Sequence, residues 1–147
     1  MTKVIAGFPG VGKSYIAKEN TELLVLDSDS SDFSWLEPGV RNPDFPKNYV
    51  KHIKDNIGIA DIIMVSTHTV VREALKDANI EYTLVYPKAD LKLEYIKRYI
   101  KRESPDAFTR YIAVNWNDFI KELEEDDFPT IELRAGEYLK DIIPYLR

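Results

Sequence analysis

The stretch Gly7-Phe8-Pro9-Gly10-Val11-Gly12-Lys13-Ser14 fills every fixed position of the spacing G-x-x-x-x-G-K-[ST]. Each fixed residue type has a chemical reason. Glycines let successive backbone N–H groups turn inward around phosphate oxygens. A helix starting at the end of the stretch adds the partial positive charge of its N-terminus. The ammonium of Lys13 is long enough to reach β- and γ-phosphates, and the Ser14 hydroxyl is a hard oxygen of the kind that Mg²⁺ takes. A chance glycine-rich turn is the alternative. The apolar run before the stretch and the helical pattern after it speak against that alternative.

Two further clusters can take part in such chemistry. Asp27-Ser28-Asp29-Ser30-Ser31 follows an apolar run, and in open α/β sheets ligands bind beyond the carboxyl ends of strands. Asp27 directly continues the run and is expected beside Ser14 and Mg²⁺. Asp29 stands two residues further on and is expected to face an acceptor hydroxyl as general base. The same residue types also build turns and helix caps. Arg98 and Arg102 lie four apart on one helical face, with Lys97 and Lys101 beside them. Arginines can neutralise charge on a phosphoryl group in transfer. The plainer alternative is a helical salt bridge from Glu94, four residues before Arg98. Arg72 and Arg110 are weaker candidates for the same work. Phe33, Trp35, Phe45 and Tyr49, with Arg41 and His52, either stack a base or fill a small core under a long loop.

The elements that must position these residues are legible from periodicity. Lys3–Gly7, Leu23–Asp27, Asp61–Ser66, Tyr82–Tyr86 and Thr130–Leu133 read as strands, the first three as nearly continuous apolar runs buried on both faces. Helices are expected from Lys13 to about Asn20, around Tyr49–Ile57, around Val71–Ala78 and from Leu91 to Arg102. After an interruption at Ser104-Pro105-Asp106 a long helix carries Ile112, Trp116, Phe119, Ile120 and Leu123. A last helix is kinked or ended by Pro144. Residues 28–44 show no period and read as a polar loop. Strands alternating with helices predict an α/β fold with a parallel sheet covered on both faces.

The glycine–lysine–serine stretch resembles the Walker A motif of the P-loop nucleoside-triphosphate-binding superfamily. That resemblance implies ATP or another NTP as ligand and Mg²⁺ as cofactor. Within the superfamily the layout is similar to small nucleotide and metabolite kinases, which implies a three-layer fold with a five-stranded parallel sheet in the order 2-3-1-4-5. It also implies an arginine-bearing lid after strand four, here about 88–110. A fuller pattern is similar to small kinase-like proteins encoded by bacteriophages: the loop, Asp-Ser-Asp-Ser-Ser-x-Phe-Ser-Trp and Asn-Pro-x-Phe-Pro. On this reading Gly7, Phe8, Pro9, Gly10, Val11, Gly12, Lys13, Ser14 and Tyr15 hold the nucleotide. Ser14 and Asp27 hold the metal, and Lys13, Asp29, Arg98 and Arg102 carry the chemistry. One departure is plain. The third strand ends Val65-Ser66-Thr67-His68, with no Asp where P-loop ATPases carry one, and Asp61 stands at the opposite end. That weakens a motor or switch reading more than a kinase reading.

The bulk properties set outer bounds. The chain has 147 residues, 44% hydrophobic and 31% charged, which is enough for one domain with its own core. Its net charge of −5 disfavours coating nucleic acid through bulk charge. There are no cysteines, so thiolate metal sites, disulfides and a cysteine nucleophile are excluded. No apolar run reaches the length of a signal core or a spanning helix, and a cytoplasmic protein without membrane contact is the expectation. Three function classes stay open: a phosphotransferase acting on a nucleoside, nucleotide or other small hydroxyl acceptor; an NTPase or switch; and a nucleotide-binding protein without turnover. The missing strand-three Asp favours the first.

Overall fold

The computed structural model describes residues 2–19, 22–28 and 30–145. Strand β1 (Lys3–Gly7) leads through a tight loop into helix α1 (Lys13–Glu19) and then strand β2 (Val25–Asp27). A short helix α2 (Ser31–Ser34) and two short strands, β3 (Trp35–Glu37) and β4 (Val40–Arg41), precede helix α3 (Lys47–Asn56). Strand β5 (Ile62–Val65), helix α4 (Thr69–Asp77) and strand β6 (Thr83–Pro87) follow. Next come α5 (Lys92–Lys101), α6 (Asp106–Glu124), strand β7 (Thr130–Leu133) and α7 (Leu139–Ile142).

The central sheet has five strands, all parallel, in the order β2-β5-β1-β6-β7. Counting only its own members, this is 2-3-1-4-5, as anticipated. The fold is a five-stranded parallel sheet flanked by helices. The three inner strands are buried almost throughout because layers cover both faces. β1 lies at the centre, so the loop after it opens at the middle of the sheet's carboxyl edge, between the ends of β5 and β6. Helix α3 packs against α4 and α5 against α6, and α6 also packs against β6.

Two sequence expectations need correction. The second strand is shorter than Leu23–Asp27 and is not doubly buried. It is an edge strand, with Asp27 and Leu24 exposed. Asp61 explains its start: the carboxylate accepts the Leu24 N–H at 2.8 Å while the Asp61 N–H donates to the Leu24 carbonyl at 2.8 Å. Residues 28–44 are not a plain loop. They hold α2 and an antiparallel β3–β4 hairpin that turns at Pro38-Gly39. Strands of three and two residues are too short to display a period of two. Pro144 lies in a single 3₁₀ turn, Ile143–Tyr145, that ends α7. Among the described residues, no helix is long and apolar enough to cross a membrane.

Candidate functional site

The loop between β1 and α1 needs its glycines for two separate reasons. Gly10 and Gly12 have φ of +94° and +100°, the left-handed region that side chains rarely adopt. The second reason is space. A Cβ on Gly7 would come within 3.1 Å of Lys13 Cγ and Cδ, and one on Gly10 within 3.0 Å of the Tyr99 ring. Lys13 therefore folds back across Gly7, and the aromatic face of α5 lies directly on Gly10. The loop is anchored from below. Phe8 and Val11 point into the core, Phe8 meeting Trp116 edge-on at 5.4 Å between centroids. Of the nine residues expected to hold a nucleotide, these two face the core with their side chains. Tyr15, on α1, is 55% exposed and stands at the cleft's rim.

Helix α5 fixes the loop's outer side. The Tyr99 hydroxyl donates to the Pro9 carbonyl at 2.7 Å. Arg98 donates to the Gly10 carbonyl at 2.8 Å and to the Glu137 carbonyl at 3.2 Å. Its salt bridge to Glu94 at 2.8 Å is the helical pair anticipated from spacing. The guanidinium also sits 4.2 Å from the Tyr95 ring centroid and 3.8 Å from that of Tyr138, and the side chain is only 10% exposed. Burial pushes the Tyr95 hydroxyl up to about 12 and the Tyr99 hydroxyl higher still. Both stay protonated at neutral pH, which is the form that Tyr99 needs to donate. A trans peptide is planar, so a carbonyl held outward turns the following N–H to the opposite side. Tyr99 thus sets the Gly10 N–H.

The remaining walls meet at the carboxyl ends of β2 and β5. The Ser14 hydroxyl donates to Asp27 Oδ2 at 3.0 Å, which brings together the two residues expected at a metal. Ser28 is tied down by three contacts: its N–H to the Met64 carbonyl at 3.0 Å, its carbonyl to the Tyr49 hydroxyl at 2.6 Å, and its Oγ to His52 Nε2 at 3.0 Å. Ser30 Oγ lies 3.3 Å from Ser66 Oγ. Asp29, expected to face the acceptor, lies outside the described residues. Loop, α5 and these hydroxyls enclose a cleft of about 750 Å³. Lys13, Arg98, Lys101 and Arg102 bring positive charge to it, and Ser28, Ser30, Ser66 and Thr67 bring hydroxyls. Arg102 is exposed, bonded through Nε to Ser104 Oγ at 2.9 Å.

The donor set fits Mg²⁺. That ion is held by few protein oxygens and completes its shell with water and substrate phosphate. The Ser14–Asp27 pair beside a glycine loop supplies such oxygens, and no cluster of three or more His, Cys, Asp or Glu residues suited to a metal occurs among the described residues.

Several residues read differently in three dimensions. Phe33 and Phe45 each pack on Tyr49, and Phe33 packs on His52, so these fill the core under the hairpin segment. Trp35 remains part-exposed under the Arg41 guanidinium, 4.1 Å from its ring centroid. Arg72 is buried far from a phosphate role. It donates to the Thr67 carbonyl at 2.9 Å and pairs with Glu122 and, at 2.8 Å, Asp126. Asp126 has a fully buried carboxylate that also takes Lys76, Tyr82 and the Phe128 N–H. Burial pushes that carboxyl up, but the hydrogen bonds outweigh it and hold it at about 2. Asp126 is therefore the centre of a buried ion-pair hub. Tyr138 and Tyr99 were not singled out in the sequence. Tyr99 shares the i, i+4 pattern of a core face with Tyr95, and Tyr138 meets Arg98 only because the β7 end returns beside the β1 loop.

The fold is consistent with P-loop nucleotide-binding proteins in general. No protein-family model matches the chain, and no curated protein does.

Proposed function

We propose that this protein is a phosphotransferase of the P-loop kinase kind, a single domain that uses ATP or another nucleoside triphosphate to phosphorylate a small hydroxyl-bearing acceptor. The observation that carries the reading is the cleft. One cavity of about 750 Å³ is lined by a left-handed glycine loop with Lys13, the Ser14–Asp27 contact, a wall of hydroxyls and three further basic side chains. A triphosphate needs all four: donors for the β-phosphate, oxygens for Mg²⁺, an acceptor side, and cations for charge on the group in flight.

In this proposal Gly7 to Ser14 bind the triphosphate, with Phe8 and Val11 holding the loop from the core side and Tyr15 flanking it. Ser14 and Asp27 hold Mg²⁺, which when bound neutralises β- and γ-phosphate charge. Lys13, Arg98 and Arg102 balance charge on the transferred group. Asp29, between the cleft-lining Ser28 and Ser30 in sequence, takes the proton of the acceptor hydroxyl as its oxygen bonds to the γ-phosphorus and the bond to the β–γ bridging oxygen breaks. The segment 88–110 acts as the lid-side wall.

The test is ATP consumption with and without a panel of nucleosides and nucleotides. Slow hydrolysis alone and a marked rise with one acceptor supports a kinase. Full hydrolysis without any acceptor would make it an NTPase or switch, and binding without turnover would make it a sensor.

A further inference from the structure

A second, smaller cavity of about 160 Å³ lies between α4 and α6 and opens beside the first, with which it shares Pro9, Thr67 and His68. We infer that this slot receives the planar ring of the acceptor, and that the acceptor is a free nucleoside or nucleotide whose base carries an exocyclic amino group. The inference rests on the phosphotransferase reading above and adds to it a place and a class of substrate.

Three observations carry it. The first is shape and lining. The floor is apolar and buried, formed by Phe8, Ile112 and Leu123, and aromatic rings of Tyr111 and Phe119 stand over it, 5.4 Å apart and edge-to-face. A flat ring with two π-faces suits such a slot, and base–aromatic stacking needs no particular base. The second is a preset polar group. Glu122 lines the slot, and Thr69 and Arg72 both donate to its Oε1. Arg72 is itself fixed by the Thr67 carbonyl and Asp126, so the carboxylate is aimed before a ligand arrives. Oε2 takes no hydrogen bond from any described residue. A carboxylate accepts, so it selects ring edges that donate, such as the exocyclic amino groups of adenine, guanine and cytosine. The third is continuity. Pro9 and Thr67 belong to both cavities, so a sugar hydroxyl on a ring seated in the slot leads toward the loop that would hold the triphosphate.

Tyr111 is 57% exposed, so its ring can be removed without opening the core. The experiment titrates deoxyadenosine, deoxyguanosine, deoxycytidine, thymidine and, as a base-less control, deoxyribose into ¹⁵N-labelled protein loaded with a nonhydrolysable ATP analogue and Mg²⁺. Loading is first measured by titrating the analogue alone. Expected are shifts at Thr69, Tyr111, Phe119 and Glu122, tighter binding of the amino-bearing bases than of thymidine, and none of deoxyribose. Tyr111→Ala should weaken nucleoside binding by about 5- to 150-fold, the range of one lost stacking face, and Tyr111→Phe should restore it. If the analogue binds but nucleosides shift only Ser28, Ser30 and their neighbours, the slot assignment is overturned while the phosphotransferase reading stands. The same holds if they bind Tyr111→Ala as well as wild type, or do not bind at all. Failure of the analogue itself to bind overturns both.

Discussion

Tyr99→Phe removes one oxygen and leaves the ring in place between Tyr95 and Phe108. The lost interaction is the 2.7 Å hydrogen bond to the Pro9 carbonyl. A neutral hydrogen bond contributes about 1 kcal/mol net, and more only if the abandoned acceptor stays dry. Pro9 is part-exposed and lines the cleft, so its carbonyl can swing out and rehydrate, which keeps the cost near the lower figure. Swinging it out rotates the whole peptide plane and with it the Gly10 N–H. If the bond serves to preset that N–H, the full ~1 kcal/mol appears in nucleotide binding, which is about a fivefold weaker Kd. Calorimetric titration of both proteins with ATP and Mg²⁺ reads this directly, and thermal unfolding without nucleotide provides the companion measurement. An unchanged Kd alongside a lowered Tm would refute the reasoning, because the bond would then hold only the fold and not the cradle.

Other outcomes follow from the same geometry. Arg98→Ala takes a charged donor from two backbone carbonyls, Gly10 and Glu137, so nucleotide affinity should fall by about tenfold or more in the same titration. Arg98→Lys should recover little, since a point ammonium cannot span two carbonyls and two rings. Ser14→Ala and Asp27→Asn should each raise the Mg²⁺ concentration needed for half-maximal nucleotide binding by about tenfold, read by titrating Mg²⁺ at fixed ATP. Asp126→Asn breaks a buried ion pair and should cost about 3 kcal/mol in urea unfolding. In the wild type the Asp126 carboxyl sits at about 2 against an ordinary 3.8. A lowered folded-state pKa contributes stability above the unfolded value that is lost as pH falls through the folded one. Stability should therefore drop by about 2 kcal/mol between about pH 4 and pH 2. Asp126→Asn should lack that part of the acid limb.

What was legible in the sequence was what local pattern encodes. The five sheet strands and the glycine loop follow from apolar runs, helical periods and one spacing, because a buried strand and a tight left-handed loop leave few residue choices, whereas the strand order was implied only by the resemblance that the loop carries. What was not legible arises from contacts between distant segments. Arg72 reads as one more basic residue until α6 and the turn after it deliver Glu122 and Asp126 to it. Tyr99 reads as a core position, which it is, but its hydroxyl also holds Pro9 across 90 residues of chain. Tyr138 carries no local signal. The aromatic run 33–49 allowed two readings, and tertiary packing puts Phe33, Phe45 and Tyr49 in the core, because α3 lays Tyr49 and His52 under α2, while Trp35 stays exposed. The edge position of β2 was hidden for a similar reason: Leu23-Leu24-Val25-Leu26 looks doubly buried, but only a neighbour on each side would make it so.

The claim on which the rest depends is that the loop 7–14 binds a nucleoside triphosphate through Lys13. Calorimetric titration of wild type and Lys13→Ala with ATP in excess Mg²⁺ tests it most directly. Loss of one charged contact to phosphate is worth about 2–3 kcal/mol, so saturable one-to-one binding by the wild type and affinity lower by about 30- to 150-fold in a folded Lys13→Ala are the expected result. Equal affinity in the two proteins, or no binding by the wild type, would contradict it.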